Sequence, residues 1–255
     1  MPHPRLRAAL LLIVALVLVA SCSRGSDAPA ATGAPKPPLT YAAVGASETV
    51  GTGADRPDTQ AWPRVLAGSL GERREVRFTG LGFGGALVAD ALASSVPKAE
   101  QLDPDLVTVW LNVNDLIRLS PAPTFEKQLG DLVARLRRGG ETKVLVANTP
   151  ALDRLPAYLG CLEPTGAGCL LPPAARPFVP KPDALNAQVD AYNQATARIA
   201  EREGAVIVDL HAASLQARAE GREASLISAD GFHPSTAGHA AIAATFAEAA
   251  KRAGI

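Results

Sequence analysis

Hydrophobic residues beyond residue 38 fall into two alternating patterns. Short unbroken apolar runs, such as LVTVW at 106–110, are typical of strands that are buried on both faces. Longer stretches carry apolar residues at helical spacing, for example at 125, 129, 132, 133 and 136. These patterns predict five strands, over 39–45, 75–79, 106–111, 143–147 and 205–210. They also predict five helices, over 60–70, 86–101, 124–138, 184–203 and 235–250.

Strands that alternate with helices predict a parallel sheet covered on both faces, which is a three-layer α/β sandwich. The stretch 148–183 interrupts this alternation, because it is rich in Pro and Gly and has no periodicity. It is too long for an ordinary connection, and it follows the fourth strand at the carboxyl edge, where α/β proteins bind ligands. We therefore expect it to form a lid or a wall of the substrate site.

The N-terminus has the pattern of an export signal. Arg5 and Arg7 precede an apolar run of about 13 residues, which fits a signal peptide and is short for a membrane-spanning helix. The following Val19-Ala20-Ser21-Cys22 resembles the bacterial lipobox, in which the cysteine is lipidated. The expected organisation is a lipoprotein signal peptide over 1–21, a Pro/Ala-rich tether over 22–38 and one domain over 39–255.

This organisation predicts an extracytoplasmic protein that is anchored to the cell membrane through Cys22. An ordinary secretory signal with an incidental cysteine is the alternative. Export also permits a disulfide between Cys161 and Cys169, which would staple the irregular stretch; two free thiols are the other possibility. Lys plus Arg and Asp plus Glu number 25 each, so no basic surplus points to nucleic acid as a partner.

Candidate chemistry begins with the histidines, since histidine is the usual general base near neutral pH. His233 lies in Asp230-Gly231-Phe232-His233-Pro234, and Pro234 disfavours helix at the residue before it. Asp230 can fold back in a turn and orient the imidazole, as the acid of a Ser-His-Asp triad does. Taken alone, the motif fits a capped turn with a surface histidine better than a catalytic pair.

Two further polar groups follow strands. Ser47 comes after the first strand, behind Gly45, which permits a sharp turn. Asn114, in Asn112-Val113-Asn114-Asp115, follows the third strand, where an amide N–H could donate to an oxyanion. Each residue is also common in turns that have no catalytic role.

Together these motifs resemble the blocks of the SGNH hydrolase family, also called GDSL esterases or lipases. The blocks are Gly45-Ala46-Ser47, Leu81-Gly82-Phe83-Gly84-Gly85, Asn112-Val113-Asn114-Asp115 and Asp230-Gly231-Phe232-His233-Pro234. The resemblance implies a flavodoxin-like five-stranded sheet and a serine hydrolase without cofactor or metal. It implies Ser47 as nucleophile, His233 as base and Asp230 as its orienting acid. The implied oxyanion hole comprises the backbone N–H groups of Ser47 and Gly85 and the side chain of Asn114.

Two positions depart from the family pattern. Ala46 replaces the Asp of Gly-Asp-Ser, and Asn112 replaces the first Gly of Gly-x-Asn-Asp. We expect the turn at Asn112 to persist, because asparagine tolerates left-handed geometry.

A competing pattern lies at 80–85, which satisfies the dinucleotide fingerprint G-x-G-x-x-G. It follows the second strand instead of the first, and no acidic residue ends a strand at the required distance, so we reject a nucleotide site. Asp209 with His211, and Asp230 with His233, do not form a convincing metal-ligand set.

The sequence thus predicts an exported serine esterase that cleaves carboxylic esters of a small-molecule, lipid or glycan substrate. One alternative is an O-acetyl esterase of envelope glycans, which would use the same residues with a different pocket. The other is a ligand-binding envelope lipoprotein with weak catalysis, which the departures at Ala46 and Asn112 would explain.

Overall fold

A computed structural model of the chain describes residues 36–255. The predicted signal peptide, the lipidation of Cys22 and all but the last residues of the tether lie outside these described residues. Within 36–255, no helix combines the length and the apolar character needed to cross a membrane.

Five parallel strands form the central sheet, in the order β2-β1-β3-β4-β5. The strands are β1 (Leu39–Gly45), β2 (Val76–Gly80), β3 (Leu106–Trp110), β4 (Lys143–Ala147) and β5 (Val206–Val208). All four neighbouring pairs are parallel, so every carboxyl end lies at one edge. This order is that of flavodoxin-like sheets, and the predicted fold class is confirmed.

The helices flank this sheet on both faces. They are α1 (Ser47–Val50), α2 (Pro57–Gln60), α3 (Trp62–Gly71), α4 (Val88–Leu102), α5 (Val113–Ile117), α6 (Ala122–Arg137), α7 (Pro156–Leu162), α8 (Pro182–Glu203), α9 (Leu210–Ala219) and α10 (Thr236–Arg252). Helices α4, α6 and α8 cover one face, while α3 and α10 cover the other.

Each face of the sheet has its own core, and stacked aromatic rings join the covering helices. Phe125 of α6 stacks on Tyr192 of α8 at a centroid distance of 4.0 Å. On the other face, Trp62 of α3 stacks on Phe246 of α10 at 4.1 Å. Burial of this apolar surface is the main favourable contribution to folding, and it fixes the strand ends from which the site residues project.

The predicted helices and strands are present, with small shifts at their ends, but several short elements differ from expectation. Strand β5 ends at Val208, earlier than predicted, because Asp209 begins α9. The Asp209 side chain accepts a hydrogen bond from the Ala212 N–H, which caps that helix. The pattern had also given no sign of α1, α5, α7 or α9 as separate helices.

The stretch 148–183 is more ordered than its composition suggests. It contains α7 and a 3-10 helix over Pro173–Phe178. Cys161 and Cys169 form the predicted disulfide, with their Cα atoms 4.5 Å apart. The segment lies beyond the carboxyl end of β4, as expected for a wall of the site.

Candidate active site

A continuous chain of hydrogen bonds joins Ser47, His233 and Asp230. The Ser47 Oγ lies 2.9 Å from His233 Nε2, and His233 Nδ1 lies 2.6 Å from Asp230 Oδ2. Because an ionised carboxylate can only accept, His233 Nδ1 carries the donated proton and Nε2 is left to accept the Ser47 hydroxyl. The structure therefore brings together three groups that are separated by up to 186 residues.

Asp230 is held by the turn that carries His233. Its Oδ1 accepts hydrogen bonds from the backbone N–H groups of Phe232 and His233 and from the Ser228 hydroxyl. Partial burial of the carboxyl acts to raise its pKa. The bonds from His233, Phe232 and Ser228 outweigh burial and hold the pKa of Asp230 well below its usual range. The group is thus an anion over the whole working pH range.

The turn that carries Ser47 depends on a close approach that only glycine permits. A Cβ at Gly45 would lie 1.9 Å from the Thr49 Oγ1. This contact lets α1 begin directly beyond β1, so Ser47 is the first residue of the helix. The Ser47 N–H is in the first turn, where an α-helix supplies no acceptor of its own.

The segments that carry Gly85 and Asn114 are tied to the nucleophile strand and to each other. The N–H groups of Leu81 and Phe83 donate to carbonyls of β1, at Ala43 and Gly45. Gly85 follows with φ +74°, a conformation that favours glycine. The Asn114 Nδ2 donates to the Ala86 carbonyl at 3.1 Å, which leaves its second N–H available.

Asp115 links the segments that carry Gly85 and Asn114. Its side chain is 1% exposed, and its Oδ2 accepts a hydrogen bond from the Val88 N–H at the start of α4. Burial raises the pKa of Asp115 to about 6, and the Val88 N–H offsets part of that shift. Asp115 thereby holds the Gly85 segment against the Asn114 segment.

The two residues that depart from the family pattern, Ala46 and Asn112, lie in different environments. Ala46 is 3% exposed and packs in the core beneath the nucleophile turn. Asn112 has φ −168°, which is extended backbone, so the expectation of a left-handed conformation there is wrong. The turn persists because the buried Asn112 amide donates to the Ala147 carbonyl of β4.

Among residues 36–255, two mostly apolar cavities lie beside the paired Ser47 and His233 side chains. The larger, here called the outer cleft, has a volume of about 610 Å³ and lies between α5 and the disulfide-stapled segment. Gly85 and Asn114 line its inner end, and Leu119, Leu170 and Phe178 form an apolar rim.

The smaller, here called the inner cavity, has a volume of about 150 Å³ and lies between α9 and α10 beneath His233. Its walls are mostly apolar, and both Glu48 and Trp110 line it. Sequence reasoning missed Glu48. The only signal was an acidic residue directly after the serine, which has no meaning until the cavity is seen.

The other histidines described have structural roles. His239 is fully buried; its Nδ1 accepts the Trp62 N–H, and its Nε2 donates to the Thr52 carbonyl. Burial lowers the pKa of His239, so it stays neutral and ties α10 to the loop after the nucleophile. His211 contacts the Thr149 carbonyl. Among residues 36–255, no group of three or more His, Cys, Asp or Glu side chains is arranged to hold a metal ion.

Several solved structures share this fold along most of their length. TesA is 21% identical, with 84% of this chain and 99% of that chain covered and a TM-score of 0.61. The lipase/acylhydrolase from Enterococcus faecalis is 18% identical, covers 84% and 96%, and has a TM-score of 0.62. A catalytic mutant of Axe2, an acetylxylan esterase from Geobacillus stearothermophilus, is 19% identical, covers 83% and 93%, and has a TM-score of 0.62.

A search of the curated proteins finds no match. The sequence model of the GDSL-like lipase/acylhydrolase family, in contrast, matches residues 43–241, a stretch that contains every block of the site. By this match, and in agreement with its fold, the chain belongs to the GDSL-like lipase/acylhydrolase family, whose members hydrolyse esters.

Proposed function

We propose that this protein is a serine esterase that cleaves carboxylic esters through an acyl-enzyme, with Ser47, His233 and Asp230 as its catalytic residues. The observation that carries the proposal is the unbroken hydrogen-bond chain from the Ser47 hydroxyl through His233 to the Asp230 carboxylate. A serine that is hydrogen-bonded to an oriented histidine is the arrangement that activates a hydroxyl as nucleophile.

The reaction proceeds in two steps. His233 Nε2 takes the Ser47 proton while Oγ attacks the ester carbonyl, and the same nitrogen then gives that proton to the departing alcohol. Water attacks the resulting acyl-serine with His233 again as base, which releases the carboxylic acid and restores Ser47. The Asp230 anion keeps the imidazole in the required tautomer throughout.

Three donors serve as the oxyanion hole in this proposal. They are the N–H of Ser47 in the first turn of α1, the N–H of Gly85, and the second N–H of the Asn114 amide. Each lies on a segment that is fixed to a strand end, so little reorganisation is needed as negative charge develops on the carbonyl oxygen.

The outer cleft supports a hydrophobic acyl group as the preferred substrate part. Its volume of about 610 Å³ and its apolar rim exceed what an acetyl group requires. The acetylxylan esterase among the structural neighbours motivates the second candidate, an O-acetyl esterase of envelope glycans. Rates on acetate, butyrate and octanoate esters and on acetylated xylan would separate the two candidates.

The direct test compares the detergent-solubilised full chain with its Ser47→Ala variant on p-nitrophenyl butyrate. We expect the variant to lose at least ~10³-fold in kcat, since nucleophile removal in comparable triads costs that much or more. Equal rates would refute the nucleophile, and no hydrolysis of any ester by the wild type would favour a ligand-binding protein.

We also propose that the protein is exported and anchored to the cell membrane by lipid on Cys22. The lipobox-like Val19-Ala20-Ser21-Cys22 and the preceding apolar run support this. Mass spectrometry of the mature N-terminus should find Cys22 carrying acyl groups, and Cys22→Ser should release the protein from membranes. An unmodified mature N-terminus would refute the anchor.

A further inference from the structure

Glu48 directly follows the nucleophile, yet the catalytic chain does not use it. Its side chain is partly buried and lines the inner cavity. Its nearest side-chain partner is the Ser47 Oγ at 3.4 Å, a longer contact than the 2.9 Å from that oxygen to His233 Nε2. Among residues 36–255, Glu48 takes part in no ion pair, so the fold itself gives this carboxyl no cation.

The rest of the cavity wall offers Glu48 no compensation. Neither Lys nor Arg lines the cavity, and its other ionisable groups are His233 and Glu223. Glu223 is paired with Arg218 at 2.9 Å. Burial raises the pKa of Glu48 to about 7, and bonds from the backbone at Glu48 and Ala46 and from Ser47 reverse only part of that effect. A partly buried carboxyl with no cation partner and only a long side-chain contact is stabilised further when a ligand supplies a donor.

The positions of the catalytic groups decide which half of an ester enters this cavity. His233 lines the inner cavity and not the outer cleft, whereas Gly85 and Asn114 line the outer cleft and not the inner cavity. Because His233 must protonate the leaving oxygen, the alcohol half lies on the side of the inner cavity. A volume of about 150 Å³ resembles that of a cavity which holds benzene, so it suits roughly six non-hydrogen atoms.

We propose that Glu48 is a specificity-determining residue that accepts a hydrogen bond from a donor group, a hydroxyl or an ammonium, on a short alcohol half of the ester. The inner cavity then selects esters of small diols or amino alcohols over esters of plain alkanols. This inference rests on the proposed esterase function and specifies its substrate. Glu48 takes no part in proton transfer; the ester and water give the acid and the alcohol as before.

Two matched pairs of butyrate esters test the inference on the full chain. In the first pair, 2-hydroxyethyl butyrate differs from propyl butyrate by a hydroxyl in place of a methyl. In the second, 2-(dimethylamino)ethyl butyrate differs from 3-methylbutyl butyrate by a protonated nitrogen in place of a carbon. Butyrate release followed by pH-stat gives kcat/KM for each ester, and the ratio within a pair cancels general losses of activity.

We expect the wild type to prefer the donor-bearing ester of at least one pair by ~10-fold or more, because a site that hydrogen-bonds its substrate rejects the analogue without the donor. Glu48→Leu removes the acceptor and should bring that ratio close to one. Glu48→Gln, which is nearly isosteric, should keep a hydroxyl preference and lose an ammonium preference. Circular dichroism of both variants reports whether they fold.

A wild-type ratio near one in both pairs would overturn the inference, as would an unchanged ratio in Glu48→Leu. The proposed function fails separately. If the esters are hydrolysed equally by wild type and Ser47→Ala, the esterase assignment is wrong. If hydrolysis depends on Ser47 but the ratios do not depend on Glu48, only the role of Glu48 is wrong.

Discussion

The outer cleft and the inner cavity lie beside the same Ser47–His233 pair but differ in how their walls are built. The wall of the outer cleft is a Pro- and Gly-rich segment whose order depends on short helices and on the Cys161–Cys169 disulfide. The inner cavity is lined on one side by two regular helices, α9 and α10, of which α10 packs on the sheet, and on the other by the start of the 148–183 stretch and the loop that carries His233.

The polar content of the two spaces differs as well. The outer cleft presents donors at its inner end and an apolar rim, with Phe178 71% exposed. The inner cavity presents one carboxyl without a cation partner, Glu48, in mostly apolar surroundings. A loop-built wall can accommodate acyl groups of several lengths, whereas a smaller cavity, lined in part by regular helices and carrying an acidic group, should discriminate sharply. We therefore expect tolerance on the acyl side and stringency on the alcohol side.

The largest expected effect is on the side of the outer cleft. Asn114→Ala should lower kcat on p-nitrophenyl butyrate by ~10²–10³-fold, because one donor to the oxyanion is lost. Asn186→Ala is the control, since Asn186 is exposed on α8 and lines neither cavity. A loss below tenfold in Asn114→Ala, or an equal loss in the control, would remove Asn114 from the oxyanion hole.

Removal of the disulfide should affect the wall of the outer cleft and leave the inner cavity unchanged. The double variant Cys161→Ser, Cys169→Ser should lose about 2–3 kcal/mol of unfolding free energy, the chain-entropy expectation for so short a loop. Denaturant unfolding with and without reductant measures this loss, and the wild type in reductant should match the variant. The preference among alcohol halves should stay constant, and a change in it would show that the two walls are coupled.

A smaller effect concerns the inner cavity and is measured as a change of stability with pH. With the pKa of Glu48 raised from 4.5 to about 7, the protonated carboxyl favours the folded state, and that contribution is lost as pH rises between those values. Glu48→Gln cannot ionise, so its free energy of unfolding relative to wild type should rise from pH 4.5 to pH 8 by about 1–2 kcal/mol, less than the full pKa shift corresponds to because the side chain is only partly buried. Glu201→Gln, at an exposed position, should show no such trend, and a flat difference for Glu48→Gln would contradict an uncompensated carboxyl.

The smallest effect concerns the rim. Phe178→Ser should lower kcat/KM for p-nitrophenyl octanoate relative to acetate by about 5-fold, as expected for one lost apolar contact of roughly 1 kcal/mol. Leu215→Ser removes an exposed apolar side chain of α9 that lines neither cavity and serves as the control. Equal ratios for octanoate and acetate in wild type and Phe178→Ser would place the acyl chain elsewhere.

The parts of this architecture that the sequence predicted are those with strong periodicity. The five buried strands and the long helices were predicted because their apolar spacing directly reflects their burial. The short helices α5 and α9 were missed because each is fixed by local hydrogen bonds at a strand end, such as the Asp209 cap, and not by an apolar stripe. The expectation of a left-handed conformation at Asn112 was wrong because that turn is fixed by a tertiary hydrogen bond to Ala147, which apolar spacing does not reveal.

The site shows the same division. Ser47, Asp230 and His233 could be named in advance because their blocks, taken together and in order, resemble those of the SGNH hydrolase family, although each block alone fits an ordinary turn. Glu48 could not be identified from the sequence, because its environment is formed by α9, α10 and the loop that carries His233, which are far away along the chain. Residues that belong to a sequence motif can thus be identified from the sequence, whereas the residues that line a cavity can be identified only from the fold.

The central claim is that the Ser47 hydroxyl is the activated nucleophile between the two cavities. Incubation of the full chain with a fluorophosphonate, followed by peptide mass spectrometry, tests this most directly. We predict one stoichiometric adduct on Ser47, blocked in Ser47→Ala and strongly slowed in His233→Ala. An unlabelled Ser47, or an adduct on another residue of the wild type, would contradict the account.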